Sequence, residues 1–526
     1  MQGKKERSLL KAYRKRASTP QYVSPNQLVL IGFETPFEQQ LTKNNRWVKL
    51  NALIPWDKIV GQYDTQFKSS EGRPPISGRI VLGALIIKHI LNLTDDETIH
   101  QIEENMFMQY FLGYSSFTNE SVFSPTLFVE IRKRLNQTIV NGISEIVVAH
   151  QKEIEENRIK KDKDKPDDTG LLNEAIIVIK PEESVIEADT NNGTLIMDAT
   201  VAPQNITYPT DLKLLNAARE KSEELVDKLY NKELHGATKV RTYRELARKD
   251  FLNAIKKKTK SFKEIYKWNG HQIRYLNRNI AHIQLLLKAY ETNGMNHTLK
   301  KKDLLYIETL QTVYAQQETI HRTQTRSIEN RIVNIHQPYV RPIKRGKAGK
   351  QTEFGSKLQV SLVNGFTFLD KLSWDNFNEG GDLQASVEKF KIRCGHYPKQ
   401  VLADQIYCTR VNRAWLKEKQ IKLSAKPLGR PTKEALSNQV SPGERNPIEG
   451  KFGQGKVAYG LDNIKAKLKD TSESWIATII LVLNLVNLTR LAALCNKFID
   501  VIITLFFYGI KINRLSLSGS SKYKAT

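Results

Sequence analysis

The first 150 residues carry apolar positions at the three- and four-residue spacing of helices. One apolar face falls within Leu82–Leu93 and another within Leu127–Leu135. Between them, Thr94–Glu97 reads Thr-Asp-Asp-Glu, which is typical of a capping box at the start of a helix. We therefore expect an all-helical N-terminal domain, with the charged run Arg132–Arg134 on its outer surface.

After a charged segment, the pattern changes to short apolar runs. Gly193–Pro203 reads GTLIMDATVAP and predicts a buried strand that carries one carboxylate near its end. Leu358–Val363 and Phe366–Leu372 flank Asn364-Gly365 and predict a β-hairpin, because this dipeptide tolerates the positive φ of a tight turn. Gln400–Asp404 predicts a further strand that ends in a carboxylate.

Two longer segments are helical in pattern. Apolar residues from Ile273 to Ile320 step by three and four, with a break at Glu291–Lys300, and predict an antiparallel helical hairpin. Ser474–Ile512 is apolar, and its alternative interpretation is a membrane span. Asn484 and Arg490 interrupt it before it reaches the roughly 20 apolar residues that a span needs. We therefore favour buried helices packed on the sheet.

The net charge of the chain indicates which kind of molecule it binds. The chain has 526 residues and a formal net charge of +25, with a pI of about 9.6. This excess indicates a polyanion, nucleic acid first and an anionic membrane second. Lys256, Lys257, Lys258 and Lys260 create a strong local positive potential and are expected to contact a phosphate backbone. The three cysteines lack metal-ligand spacing, and no apolar signal core follows the basic N-terminus, so we expect a cytoplasmic protein.

Three carboxylates are the candidate catalytic and metal-binding residues. Asp198 and Asp404 each follow an apolar strand, and Glu449 lies on a later helix, so all three are expected to meet at one edge of the sheet. Divalent cations would remove their mutual repulsion, and oxygen ligands select hard ions such as Mg²⁺. Two such ions about 4 Å apart suit phosphodiester chemistry, because one activates the attacking oxygen and the other stabilises the leaving oxygen.

The segment around Glu449 permits two interpretations. On a continuous helix, Arg445, Glu449 and Lys456 share one face, since they lie four and seven residues apart. A carboxylate beside two cations would then face a phosphate. Alternatively, Asn446 caps the helix, Pro447 takes the first helical position and Glu449 merely closes a capping box. The residues alone leave both interpretations open.

These motifs together resemble the DDE transposases of bacterial insertion sequences, which have a ribonuclease H-like catalytic core. The resemblance covers most of the chain. In the N-terminal part it rests on Ile54–Trp56, Gly72–Pro74, Asn92–Glu97 and Gln109–Gly113. In the core it rests on Met197–Thr200, Arg345–Lys347, Thr352–Gly355, Leu402–Asp404 and Arg445–Glu449 with Lys456.

The resemblance implies an α+β or α/β multidomain protein in which a helical insertion interrupts a mixed-sheet ribonuclease H-like core. The expected parts are a basic tail (1–25), a helical N-terminal DNA-binding domain (26–150), a charged linker (151–188), the catalytic domain (189–210 and 338–473), the helical insertion (211–337) and C-terminal helices with a tail (474–526).

The resemblance also implies a function. Asp198, Asp404 and Glu449 would bind two Mg²⁺ ions, with Asp198 bridging them and Mn²⁺ as an expected substitute. Arg445 and Lys456 would contact the transposon-end DNA. Water would cut at the element ends, and the freed 3′-hydroxyl would attack target DNA. The N-terminal helices would recognise the inverted repeats, and a homodimer would hold two ends of double-stranded DNA, in the bacterial cytoplasm at the nucleoid and away from the membrane.

Two other functions remain open from the sequence. One is a catalytically inactive transposase relic that only binds DNA, although all three carboxylates are present. The other is a ribonuclease H-like nuclease that cuts without joining ends, although such an enzyme has no need of a large helical N-terminal domain. Metal-dependent cleavage separates the first from a transposase, and strand joining separates the second.

Overall fold

The computed structural model describes residues 41–67, 75–163, 191–325, 327–344, 352–424 and 442–490. The predicted basic tail, most of the predicted charged linker and residues 491–526 lie outside these ranges. So do Gly72–Pro74 and Arg345–Lys347, which contribute to the family resemblance.

Helices are the regular elements of the described residues before 164. They are α1 (Arg46–Leu53), α2 (Trp56–Asp64), α3 (Gly78–Leu91), α4 (Asp95–Glu104), α5 (Met106–Leu112), α6 (Leu127–Arg134) and α7 (Gln137–Lys163). The predicted capping box opens α4: the Thr94 side chain accepts from the Glu97 N–H, and the Glu97 carboxylate accepts from the Thr94 N–H. That prediction is confirmed.

The prediction that Arg132 faces outward is wrong. Its side chain is buried, and its guanidinium donates to both oxygens of Asp95 at 2.9 and 2.7 Å. Lys88, also buried, contacts the same carboxylate at 3.0 Å. Both cations lie over the ring of Trp475, at 4.7 Å for Lys88 and 5.3 Å for Arg132. A long cationic stem can line an apolar core when its head is paired, which a charge pattern along one helix does not reveal.

The strands form one mixed sheet. They are β1 (Thr194–Pro203), β2 (Arg341–Lys344), β3 (Thr352–Val363), β4 (Phe366–Ser373), β5 (Gln400–Leu402) and β6 (Lys422–Ser424). Across the sheet the order is β2-β3-β1-β5-β6, and β4 also pairs with β3. The pairs that β3 makes are antiparallel, whereas β1–β5 and β5–β6 are parallel. The central strand β1 therefore joins an antiparallel half to a parallel half.

The predicted hairpin is confirmed. Asn364 and Gly365 connect β3 to β4 and have φ values of 50° and 82°. Both lie in the left-handed region, which few residues other than asparagine and glycine adopt without strain. The turn residues therefore fix the register of the two strands locally.

The segment between β1 and β2 is helical, as predicted. It contains α8 (Asp211–Leu229), α9 (Lys232–His235), α10 (Arg244–Lys256), α11 (Phe262–Thr292) and α12 (Lys301–Thr323). The two longest, α11 and α12, pack on each other across a short connection and form the predicted hairpin. Leu276, Ile283 and Leu310 lie in a core cluster that belongs to this segment alone. The helical insertion thus has its own apolar core.

Four further helices of the described residues contact the sheet. They are α13 (Leu383–Cys394), α14 (Arg410–Glu418), α15 (Asn446–Tyr459) and α16 (Lys469–Arg490). By length and composition alone, α16 could cross a membrane, but 83% of its most apolar window is buried inside the molecule. Buried Asn484, which interrupts that window, hydrogen-bonds the Thr367 backbone of β4 and the Ser144 hydroxyl of α7. These contacts are those of a core helix between the sheet and the N-terminal helices.

Candidate active site

The parallel pairing of β1 and β5 places Asp198 beside Asp404. Ile196 pairs with Leu402, and each aspartate lies two residues further along its own strand direction. Neighbouring strands are about 4.8 Å apart, so equal offsets bring the two carboxylates to the same level of the sheet. The expectation that Asp198 lies near the end of its strand needs correction, since β1 continues to Pro203 because its antiparallel pairing with β3 continues.

The two aspartates differ in environment. Asp198 is 17% exposed at its side chain, whereas Asp404 is 56% exposed. The Asp198 carboxylate accepts a hydrogen bond from the Ala199 N–H at 2.8 Å. Asp404 precedes a short 3₁₀ turn, and its carboxylate accepts from the Gln405 N–H at 2.7 Å. Both side chains are therefore oriented by the backbone that immediately follows them.

The third carboxylate comes from α15, which packs against β1. A 3₁₀ turn, Pro442–Arg445, precedes this helix, and Arg445 occupies the N-cap position without a side-chain capping bond. Asn446 is the first helical residue and not its cap, so the capping-box interpretation of the motif is wrong. Glu449 instead directs its carboxylate to the Arg445 guanidinium, with an Nη2–Oε1 distance of 3.6 Å. Its side chain is 61% exposed.

One guanidinium joins all three carboxylates. Arg445 Nη1 lies 3.1 Å from Asp404 Oδ1, and its Nη2 lies 3.8 Å from Asp198 Oδ2 and 3.6 Å from Glu449 Oε1. The Asp404 contact alone has hydrogen-bond length, so the cation is shared and not paired with one partner. Residues separated by more than 200 positions thus converge on one positive group.

The surroundings of Asp198 raise the pKa of its carboxyl group. Burial raises the pKa of the Asp198 carboxyl to about 6, while the Ala199 N–H and the Arg445 guanidinium favour its ionised form. The negative charges of Glu379 and Asp404 raise this pKa further. In the protein alone, Asp198 therefore holds a proton more strongly than an ordinary aspartate does, and cation binding to this carboxylate would release that proton.

Glu379 is a neighbour of the site that the sequence analysis missed. It opens a short 3₁₀ turn after β4 and pairs with buried Lys357 at 2.8 Å. This turn packs on the turn that follows Asp404: a Cβ on Gly380 would lie 2.7 Å from the Ile406 carbonyl oxygen. Buried Asn412 donates to the carbonyls of Gly380 and Tyr407 at 2.7 and 2.8 Å. The proximity depends on two loops meeting, for which the sequence carries no local signal.

The predicted DNA-binding cations lie in two places. Lys456 is half-buried on α15, two turns after Glu449. Lys256, Lys257 and Lys258 are exposed and Lys260 is half-buried, all where α10 ends and before α11 begins. These four lysines belong to the helical insertion and not to the carboxylate site.

Lys257 differs from the other insertion lysines. It forms an ion pair with the Glu264 carboxylate, which also accepts from the Ser261 N–H and hydroxyl. The Lys257 contact and the Ser261 bonds lower the pKa of Glu264 to about 2. Lys257 is therefore engaged within the protein, which weakens its expected role as a phosphate contact.

The chemistry of the donor set fits a hard divalent cation. All three side chains that meet at Arg445 are carboxylates, the ligands that Mg²⁺ prefers among protein groups. Within the described residues, however, no group of three or more His, Cys, Asp or Glu side chains is arranged to hold a metal ion as it stands. Asp198, Asp404 and Glu449 surround a guanidinium, and they would have to close around an ion.

Comparison with known families identifies two regions. Residues 401–486 match the family described as "Transposase DDE domain". Residues 35–134 match the family described as "Transposase domain (DUF772)". Both matches are to transposase families, and together they support an insertion-sequence DDE transposase. The first match contains two of the three carboxylates, Asp404 and Glu449, and the second contains helices α1 to α6. Asp198 lies outside both matches, so its place in the site rests on the sheet register and the contact with Arg445.

The sequence is also similar to a protein whose name states no activity. A protein of Rhizobium meliloti named "Uncharacterized protein ORF8 in nfe locus" is 25% identical over 167 residues. The match covers 32% of this chain and 66% of that relative, slightly less than two thirds of the relative's length. No solved structure matches this chain.

Proposed function

We propose that the protein binds the terminal inverted repeats of an insertion sequence, cleaves DNA at the element ends and joins those ends to target DNA. The observation that carries the proposal is the meeting of Asp198, Asp404 and Glu449 at one cationic group. Three converging carboxylates are unfavourable unless cations offset their repulsion. A divalent-cation site is the function that best accounts for this arrangement.

The proposed cofactor is a pair of Mg²⁺ ions, for which Mn²⁺ is expected to substitute. Asp198, Asp404 and Glu449 would hold the ions, and Asp198 has the least exposed side chain of the three. When bound, such ions activate an attacking oxygen and stabilise a leaving oxygen at phosphorus. The protein supplies the carboxylates from two adjacent strands and one helix, so their relative positions are set by the sheet and by α15.

The proposed reaction has two steps, cleavage at the element end and joining to target DNA. In cleavage, a water oxygen forms a bond to phosphorus at the element end, the P–O3′ bond breaks, and the element keeps a free 3′-hydroxyl. In joining, that hydroxyl oxygen bonds a target phosphorus and the target P–O3′ bond breaks. Each attacking oxygen loses one proton and each leaving oxygen gains one. Arg445 and Lys456 would orient the DNA phosphates beside the carboxylates.

We further propose that the sheet is a ribonuclease H-like core. This rests on the strand arrangement, in which the central strand β1 pairs antiparallel with β3 and parallel with β5. The helical region that matches a transposase domain, residues 35–134, would recognise the inverted repeats. A homodimer would hold two DNA ends together, and the protein would act in the bacterial cytoplasm at the nucleoid.

The test is cleavage and joining of DNA that carries the element's own ends, in the presence of Mg²⁺. We expect the wild type to cut and join, and Asp404→Asn to bind the ends normally while both reactions fall at least about 100-fold. Removing an outer-shell partner of a metal ligand lowers metal affinity or activity by up to about 100-fold, so removing a ligand itself should lower activity by at least that factor. Asp375→Asn is the matched control, because this carboxylate is exposed and contacts Arg341 outside the site.

Each alternative has its own outcome. Full activity of Asp404→Asn would remove the carboxylate site from the reaction. A wild type that binds the ends without cutting them would be a catalytically inactive relic. Cutting without joining would identify a ribonuclease H-like nuclease. Asp375→Asn should keep wild-type activity in every case, and its loss would point to an effect on folding.

A further inference from the structure

Arg445 occupies the position at which the charges of three carboxylates converge. Its two terminal nitrogens lie 3.1 to 3.8 Å from oxygens of Asp198, Asp404 and Glu449. A guanidinium stays protonated at all pH values at which the protein is folded. It therefore supplies a permanent positive charge that offsets the repulsion among the three carboxylates in the protein alone.

The contacts of Arg445 indicate that this position is held by charge more than by hydrogen bonding. Only the bond to Asp404 is short, and the other two contacts exceed normal hydrogen-bond length. The Arg445 Nε is buried and has no hydrogen-bond partner among the described residues. A side chain held in this way can leave when a stronger cation arrives, because few directional bonds must be broken.

We propose that Arg445 is a resident counter-cation: it holds the three carboxylates together before metal binds and competes with divalent cations for them. This inference rests on the proposed function of the site as a metal centre. Metal entry displaces the guanidinium, and displacement frees Arg445 to contact a DNA phosphate. Arg445 thus acts as a positioning residue in one state and as a DNA contact in the other, so that metal binding and DNA binding favour each other.

The test measures Mn²⁺ binding to the full chain without DNA, by the loss of the free-ion signal in electron paramagnetic resonance. We expect Arg445→Ala to bind Mn²⁺ about fivefold or more tightly than the wild type, which is the lower end of the usual coupling between two binding events. We also expect a lower melting temperature for this variant without metal, and a larger rise in that temperature when Mn²⁺ is added. Both readouts are independent of catalysis.

Two further variants keep the test interpretable if Arg445→Ala folds poorly. Arg445→Lys retains the positive charge and should bind Mn²⁺ within about threefold of the wild type. Arg410→Ala removes an exposed cation from the start of α14, close to the Asp404 turn, and controls for a general change in surface charge. It should leave Mn²⁺ affinity nearly unchanged.

The Mn²⁺-binding results distinguish a failure of the Arg445 competition from a failure of the proposed metal site. Equal or weaker Mn²⁺ binding by folded Arg445→Ala, with binding still abolished by Asp404→Asn, would overturn the competition and leave the metal site intact. Equal tightening by Arg410→Ala would also overturn it, because the effect would then be general. If neither the wild type nor Arg445→Ala binds Mn²⁺ in a way that depends on Asp404, the metal site and the competition both fail.

Discussion

Gly355 shows how one residue sets the spacing of the strands that carry the site. It lies in β3, where it pairs with Pro203 of β1 on one side and with Arg341 of β2 on the other. A Cβ at this position would lie 2.1 Å from the Ala202 carbonyl oxygen and 2.8 Å from the Pro203 Cα. Both neighbours are backbone atoms, so no side chain can turn away to make room. The glycine is therefore required by the close approach of two strands.

Gly355→Ala is expected to destabilise the protein by about 1–3 kcal/mol, the usual cost of overpacking a buried site. The strand that must move is β1, which carries Asp198, so DNA cleavage should fall as well. The measurement is the melting temperature together with the cleavage rate. Gly381→Ala is the control, because a Cβ there meets nothing within 4 Å. A Gly355→Ala protein as stable as this control would show that β1 and β3 can separate freely.

At the scale of elements, α3, α4, α6 and α16 meet at one buried charge cluster. The carboxylate of Asp95 bonds Arg132 and Lys88, and both cations lie over Trp475. Burial lowers the pKa of Lys88 to about 8, although Asp95 favours the charged form of this lysine. The neighbouring His89 is fully buried and has an unpartnered Nε2 among the described residues. The junction therefore holds more positive than negative charge.

This junction predicts a pH dependence of stability. The unfolded chain binds the Lys88 proton with a pKa of 10.5 and the folded protein with a pKa of about 8. Between these values the unfolded state binds more protons, so this group makes the protein more stable as the pH rises. A shift of this size corresponds to roughly 3 kcal/mol.

The measurement compares the melting temperatures of the wild type and Lys88→Met from pH 7 to 10.5. The difference between the two proteins should change in favour of the wild type across this range, because only the wild type loses the penalty of a buried charge. Lys58→Met is a control, since Lys58 is half-exposed and pairs with an exposed carboxylate of Glu153. A constant difference between the wild type and Lys88→Met would contradict the burial of a charged Lys88.

Local signals explain which elements could be predicted from the sequence. The Asn364-Gly365 turn and the capping box at Thr94 each depend on a few adjacent residues, and both are present. The burial of Arg132 and the proximity of Glu379 to Asp198 depend on elements that are distant in the chain. The contacts of Arg445 with Asp198 and Asp404 likewise follow from the sheet register and from the turn before α15, whereas its contact with Glu449 has the four-residue spacing of a helix.

For the whole molecule, the two largest apolar cores of the described residues lie in different regions. One core is continuous from the N-terminal helices through the sheet to α16. The other belongs to the helical insertion. Since α11 has 31 residues, it is roughly 45 Å long, and its two ends present separate surfaces. Lys256, Lys258 and Lys260 lie near its start, whereas Lys288 and Lys301 lie near its other end. Because the two groups of lysines are far apart, replacing the second group is a control for the change in net charge caused by replacing the first.

Replacing Lys256, Lys258 and Lys260 together with glutamine should weaken DNA binding and make it less sensitive to salt. Each lost phosphate contact lowers the slope of log affinity against log salt by about 0.9, so the expected decrease is between about 1 and 3. Lys257 is left in place because it already pairs with Glu264. The control replaces Lys288, Lys301 and Lys302, which changes the net charge equally at the far end of α11. Equal slopes for both triple variants would mean that net charge acts without a localised contact, and an unchanged slope would remove these lysines from the DNA interface.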